Sequence, residues 1–436
     1  MSNYTFKLSN YHAIENAEII LDGITVLSGE NGSGKSTISR WLYYLIRGTN
    51  EYEMFVEKEA LNEIRSMLDN MRRTSLFLDF ENAIRSTQTR QVLSEIWSVG
   101  IESYQDKFHA IVDSFVDSLF EELSSRRSTN SVLRRLSTIF QFELTKNDNI
   151  DSVLNKISFQ LHRDYQEILL HSIEQKKKRD TSSLIKVVRS IASPGDGWPS
   201  ELYLSEDQLP LINKRGFREP VMLNRAIYYG TQRTISSLEY DSEFDKLLRS
   251  PLPGATNILG AIRMRIQNII NGTITYEDES TLLMDEPGLY YHRKTDNLRI
   301  PLKQAATGIT SFAYLLQLLN NGYLQKDTLL IIDEPEAHLH PQWIVEYAKL
   351  LVLLNKKTGM KILVSSHNPD MVSAIQSISR KEAVLNSVHF YVAKKQIDGT
   401  RYSFKHLGTE IGEIFESFNI ALSRIKMYGE NGIEEK

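Results

Sequence analysis

Cysteine is absent from this chain. That excludes disulfides, thiol chemistry and any zinc site built on thiolates, and it fits a reducing compartment. Long apolar runs are missing too: no stretch approaches the roughly 20 residues of a spanning helix. The opening residues MSNYTFKLSN lack a basic-then-apolar leader pattern. The expectation is a cytoplasmic protein with no membrane insertion, able to serve a membrane assembly only as a peripheral partner. A basic surplus is also missing, since the net charge is −4 and the pI about 6.2. Whole-chain electrostatics therefore predict no strong nonspecific grip on DNA. Local basic clusters occur at Arg126, Arg127, Arg134 and Arg135 and at Lys176 to Arg179. Such runs read as solvated helix faces; the competing reading is a phosphate or acidic-partner contact that weakens with salt.

Glycine and proline are scarce between residues 52 and 195, where apolar residues fall three or four apart. FHAIVDSFVDSLFEELSS, VLRRLSTIFQFEL and VLNKISFQLHRDYQEILL read as amphipathic helices. No heptad pattern is sustained, which favours a compact helical lobe over a long coiled-coil arm. SPGDGWPSE, Ser193 to Glu201, marks the return to the rest of the chain. The predicted organisation is residues 1–51 as the first part of a head, 52–195 as a helical insertion, and 196–436 as the remainder of the head. A chain of 436 residues has ample core for both.

What is present is a glycine-rich loop in a telling setting. The apolar run Ile24 to Leu27 precedes GENGSGKS, Gly29 to Ser36, and a helical pattern follows from about Thr37. Strand, loop and helix in this order are what a P-loop requires. Gly29, Glu30, Asn31, Gly32, Ser33, Gly34, Lys35, Ser36 and Thr37 form the candidate ATP-binding segment. Successive backbone N–H groups from Glu30 to Lys35 can wrap a β-phosphate, Lys35 can reach the β and γ oxygens, and the Ser36 hydroxyl can ligate Mg²⁺. The helix N-terminus behind them adds positive potential.

Far downstream, LLIIDEPEAHLHP, Leu329 to Pro341, reads as a doubly buried strand with Asp333 emerging at its C-terminal end, where ligands sit in parallel α/β sheets. Asp333 is the candidate Mg²⁺ residue, and Glu334 the candidate that polarises the attacking water. A helical stretch, Ile344 to Asn355, and a second strand, Lys361 to Val364, lead into SSHNPD, where His367 is placed to contact the γ-phosphate. TLLMDEP, Thr281 to Pro287, imitates the first acidic motif with Asp285 and Glu286. Its flanks read as a hairpin and no histidine-ended strand follows, so the chemistry is assigned to Asp333 and Glu334.

These three segments, GENGSGKST, DEPEAHLHP and SSHNPD, make the chain resemble the ATP-binding-cassette superfamily. The resemblance is to its soluble branch, with RecF, SMC and SbcC-type heads, OLD-family ATPases and bacterial anti-phage ATPases such as PtuA and AriA. It covers about the first fifty residues and roughly residues 220–420. It implies an α/β P-loop NTPase of ABC-ATPase type with an N-terminal antiparallel β layer, interrupted here by the α-helical insertion. It also implies ATP as substrate, Mg²⁺ as cofactor, and a homodimer or higher homo-oligomer with ATP sandwiched between a P-loop and the partner's signature motif.

The signature candidate is LKQAATGITSF, Leu302 to Phe312, about 25 residues before Asp333. Aligned on Gly308, the family's serine falls at Ala306, with Thr307 beside it. Either Thr307 supplies a hydroxyl or the contact uses backbone N–H groups and the helix N-terminus alone. Gln232, in YYGTQR after the strand-like Arg225 to Tyr229, is the candidate Mg²⁺-sensing glutamine; a plain polar turn reads equally well. No room is expected after His367 for a Toprim nuclease, so an effector, a nuclease or toxin, would be a separate chain. The resemblance implies the ATPase sensor of an anti-phage system. The alternatives are a RecF- or SMC-like ATPase that clamps DNA and a nucleotide-gated scaffold with little turnover.

Overall fold

Alternation sets the first layer. In β1 (Tyr4–Tyr11) and β2 (Ile14–Leu21) buried residues recur at nearly every second position, as one covered sheet face demands. The two strands pair antiparallel, Tyr4 opposite Leu21 and Tyr11 opposite Ile14. β3 (Ile24–Ser28) is buried at every position, the pattern of a strand covered on both faces. The computed structural model describes residues 3–78, 86–126, 129–192, 197–230, 238–253, 259–277, 288–337, 339–397 and 399–416.

Further strands are β4 (Glu201–Glu206), β5 (Leu209–Ile212), β6 (Arg225–Gly230), β7 (Gly272–Glu277), β8 (Gly288–Arg293), β9 (Arg299–Pro301), β10 (Thr328–Asp333), β11 (Lys361–Ser366), β12 (Val388–Lys395) and β13 (Tyr402–Gly408). Ten of them form one sheet in the order β5-β4-β1-β2-β13-β12-β3-β11-β10-β6. β12, β3, β11, β10 and β6 run parallel. The other end, β5-β4-β1-β2, is antiparallel. This is the mixed α/β architecture expected, with its antiparallel N-terminal layer. β7, β8 and β9 make a separate three-stranded sheet, consistent with the hairpin character of the sequence flanking Asp285 and Glu286. Those two residues, like Gln232 and Arg127, lie outside the described residues.

The helices are α1 (Lys35–Asn50), α2 (Tyr52–Leu78), α3 (Ser86–Val99), α4 (Gln105–Ser124), α5 (Asn130–Ile139), α6 (Ile150–Lys177), α7 (Thr181–Ala192), α8 (Leu238–Arg249), α9 (Gly260–Ile269), α10 (Thr307–Asn320), α11 (Pro341–Thr358) and α12 (Pro369–Lys381). The chain divides into two compact units, residues 1–50 with 180–436, and residues 51–179. The first holds both sheets. Phe312, Leu316, Tyr347, Leu351 and Ile375 from α10, α11 and α12 pack with Leu330 and Ile362 of the parallel strands in its main core.

The second unit is helical, with a core that includes Phe108, Val112, Leu119, Ile157 and Tyr165. Its boundary falls at 179/180, not at 195, because α7 packs on α1 of the first unit. The run VLRRLSTIFQFEL is helical only to Ile139. Gln141 turns left-handed, φ 56°, and Phe142 N–H reaches back to the Ser137 carbonyl, which closes the helix end. Four residues of the basic clusters are engaged within this unit. Arg126 pairs with Glu122, the Arg135 guanidinium lies 3.8 Å from the Phe77 ring centroid, Lys176 pairs with Glu57 and Arg179 with Glu53.

Candidate active site

The glycines of the loop are there for measurable reasons. Gly34 has φ 97°, and a Cβ on it would lie 2.5 Å from Ile14 Cγ1. Gly29 has φ 152°, and a Cβ there would lie 2.7 Å from Ala393 Cβ. The loop is thus wedged between β2 and β12, with a backbone no larger residue fits. α1 begins at Lys35, and its first ladder bond runs from Ile38 N–H to the Gly34 carbonyl. Among the described residues, none accepts a hydrogen bond from the N–H groups of Lys35, Ser36 and Thr37, which leaves a concentrated donor site at a helix N-terminus. Lys35 is 5% exposed and donates to the Gly29 and Glu30 carbonyls at 2.8 and 2.9 Å. Burial pulls its ammonium below the usual lysine range, opposed by the nearby charges of Glu334, Asp333, Glu336 and Glu30.

The acidic partners come from the adjacent parallel strands. Asp333 closes β10 and pairs in register with Ser365 of β11. Its Oδ2 accepts from the Tyr228 hydroxyl at 2.8 Å, while Oδ1 is buried without a hydrogen-bond partner. An orphaned, buried carboxylate oxygen at a strand C-terminus fits a cation, and Ser36, half-buried at the start of α1, supplies a hydroxyl of the right chemistry. These residues would hold Mg²⁺. Burial and the Asp333 charge push the Tyr228 phenol well above its ordinary range, so the hydroxyl stays a donor.

Glu334 sits at φ 50°, a left-handed conformation uncommon for a residue with a Cβ, and its N–H donates to the Ser365 carbonyl at 2.8 Å. Its Oε1 lies 3.3 Å from His367 Nδ1. Glu336 approaches the same imidazole at 3.6 Å. The Glu336 Oε1 accepts from the Ser366 hydroxyl at 2.7 Å and from His367 N–H at 3.1 Å, and its Oε2 is buried and unpartnered. His367 follows β11, and Asn368 caps α12 by accepting from the N–H groups of Asp370 and Met371, with Pro369 at the first position. Glu336, Tyr228 and Arg40 were not among the sequence candidates. They bear on the site through side-chain contacts made between elements distant in sequence or, for Glu336, with the residues that follow β11.

The signature candidates separate. Ala306 and Thr307 are exposed at the start of α10, which carries no side-chain cap. Gly308 is buried: a Cβ on it would lie 2.9 Å from Trp343 Cζ3. The structure brings Lys35, Asp333, Glu334 and His367 to one end of neighbouring strands.

Residues 24–373 match a family described as "AAA domain, putative AbiEii toxin, Type IV TA system". The chain belongs to this AAA-domain family. A stretch of 72 residues is 36% identical to the energy-coupling factor transporter ATP-binding protein EcfA2 of Clostridium perfringens strain SM101, and equally to EcfA3 of strain ATCC 13124. That stretch is 16% of this chain and spans 25% of each relative. Similar solved structures include the Smc head domain of Pyrococcus furiosus with an extended coiled coil, bound to the C-terminal domain of ScpA. It shows 13% identity and a TM-score of 0.35 over 98% of this chain and all of that one. The SMC head domain of Thermotoga maritima shows 10% identity and a TM-score of 0.34 over 93% and 98%. In this AAA-domain protein no described helix is long and apolar enough to cross a membrane.

Proposed function

We propose that this protein binds and hydrolyses ATP with Mg²⁺ and converts the nucleotide state into association with a second copy and with a partner. The supporting observation is the convergence at the C-terminal ends of β3, β10 and β11: a helix N-terminus whose Lys35, Ser36 and Thr37 N–H groups are unengaged among the described residues, a metal-fitting Asp333, and Glu334 within ion-pair distance of His367. Lys35 neutralises phosphate charge, Glu334 orients and deprotonates the attacking water, and His367 steadies the transferring phosphoryl group. Ser36 and Asp333 would hold Mg²⁺, which would supply charge neutralisation to the phosphates. The exposed start of α10 offers Thr307 and uncapped N–H groups to the γ-phosphate of a facing protomer's ATP.

The biological role most in keeping with this is a nucleotide-gated sensor that restrains or releases a toxic effector, such as a nuclease, in anti-phage defence. The family's description, which names an AAA domain and a toxin–antitoxin system, places a toxic activity in the same context without saying which chain carries it. A DNA-clamping ATPase is the second reading. Steady-state hydrolysis by wild type and Glu334→Gln, with mass in solution, tests the proposal. The variant is expected to lose at least about 100-fold in turnover and to accumulate an ATP-dependent species of higher mass. Unchanged turnover would remove Glu334 from the mechanism. A rate raised by double-stranded DNA and lost with salt would favour the clamp over the sensor.

A further inference from the structure

Tyr228 stands one strand away from the aspartate that would hold Mg²⁺. In the β6–β10 pairing Tyr228 lies opposite Ile331 and Gly230 opposite Asp333. Since residues two apart share a sheet face, Tyr228, Ile331 and Asp333 lie on one side, and the Tyr228 side chain reaches along the strands toward the carboxylate. The residue directly beside Asp333 is a glycine. A Cβ there would lie 3.5 Å from Asp333 Cβ and 3.9 Å from the Tyr228 hydroxyl, ordinary contact distances, which places Gly230 alongside both groups.

The hydroxyl is itself oriented. Arg40 Nε, one turn into α1, donates to it at 3.4 Å, and the ring rests 5.9 Å from that of Tyr43. A phenol has one proton and accepting lone pairs; with Arg40 donating to it, its proton is directed at Asp333 Oδ2, 2.8 Å away. The other oxygen of Asp333 is buried and has no hydrogen-bond partner. A carboxylate with two free oxygens can turn and meet a cation in several ways. One whose Oδ2 is committed to a phenol offers a single oxygen in a fixed direction.

We propose, on the reading that this site takes ATP with Mg²⁺, that Tyr228 is the positioning residue of the metal-side aspartate, holding Oδ2 so that Oδ1 faces the cation, with Arg40 orienting the phenol. The role is metal-specific: it governs how the aspartate meets Mg²⁺ and leaves the phosphate-binding loop untouched.

The test is binding of the fluorescent nucleotide mant-ADP to the full chain, titrated with Mg²⁺ and repeated in EDTA, for wild type, Tyr228→Phe and Arg40→Met. Tyr228→Phe is expected to need about 10-fold more Mg²⁺ for half-maximal binding, with unchanged affinity in EDTA. Arg40→Met, altered at an exposed side chain, is expected to shift the same way by less. An unchanged Mg²⁺ requirement in Tyr228→Phe overturns the proposal, as does an equal loss of affinity with and without Mg²⁺, which would mark a merely structural role. Should Tyr228→Phe fail to fold, an unchanged requirement in Arg40→Met overturns it instead. A wild type that binds no mant-ADP sinks the ATP reading, and this role with it; failure in the variants alone leaves the ATP reading standing.

Discussion

Glu336 shows how a single residue can carry tension at this site. It is 5% exposed, and burial raises its carboxyl above the usual range, while the Ser366 hydroxyl and the His367 imidazole and N–H pull the other way. A carboxyl whose folded value lies above its unfolded one binds its proton more tightly when folded. Its contribution to stability is therefore full below the unfolded value and is lost as pH rises through the folded one. Wild type should lose stability as pH rises above the ordinary carboxylate range, and Glu336→Gln, which keeps an acceptor but cannot ionise, should lose less. Melting temperatures of both across that rise measure this; parallel curves would show that Glu336 does not titrate there. Legibility at this scale followed contiguity. Lys35 and Ser36 stand within one eight-residue run, whose glycines the loop's positive φ values explain. Tyr228, Arg40 and Asp333 come from β6, α1 and β10, and only the folded sheet puts a phenol beside that carboxylate.

Among elements, α10 separates two roles that one motif had merged. In the sequence, Ala306, Thr307 and Gly308 form one contact to a partner's nucleotide. In the fold, Thr307 opens the helix at the surface, whereas Gly308 lies under the Trp343 ring of α11, itself edge-on to Phe312. The glycine thus has a packing reason of its own. Gly308→Ala would press a methyl into a ring 2.9 Å away and is expected to cost about 1–3 kcal/mol, the usual penalty of overpacking. Urea unfolding at fixed nucleotide-free conditions would show it as a lower midpoint with an unchanged slope. An unaltered midpoint would return Gly308 to the surface role alone. The parallel strands were legible because their burial on both faces writes largely apolar runs, and β3, β10 and β11 begin with those runs or one residue before them. The stop of α5 was not, because its left-handed residue is Gln141 and not glycine, and its apolar pattern continues past the end of the helix.

At the scale of the whole molecule, the chain leaves the sheet-bearing unit once and returns once, at 50/51 and 179/180. Inside the helical unit the two crossings run side by side. The Tyr52 hydroxyl donates to the Gln175 carbonyl, Glu53 pairs with Arg179 and Glu57 with Lys176, so the first turn of α2 and the last of α6 are stapled together. An insertion whose ends meet can be removed without stretching its host. It also carries a core of its own, Phe108 stacked on Tyr165 at 4.3 Å among buried aliphatics. Joining Asn50 to Asp180 through a short Gly/Ser linker should leave a folded protein with one cooperative melt and an unimpaired Mg²⁺-dependent affinity for mant-ADP, because Lys35, Tyr228, Asp333, Glu334 and His367 all belong to the retained unit. Loss of what the insertion contacts, a partner or DNA, would then appear as an altered response to that molecule at unchanged nucleotide binding. A deletion protein that fails to fold, or that folds and no longer binds nucleotide, would show instead that the helical unit is part of the nucleotide machinery.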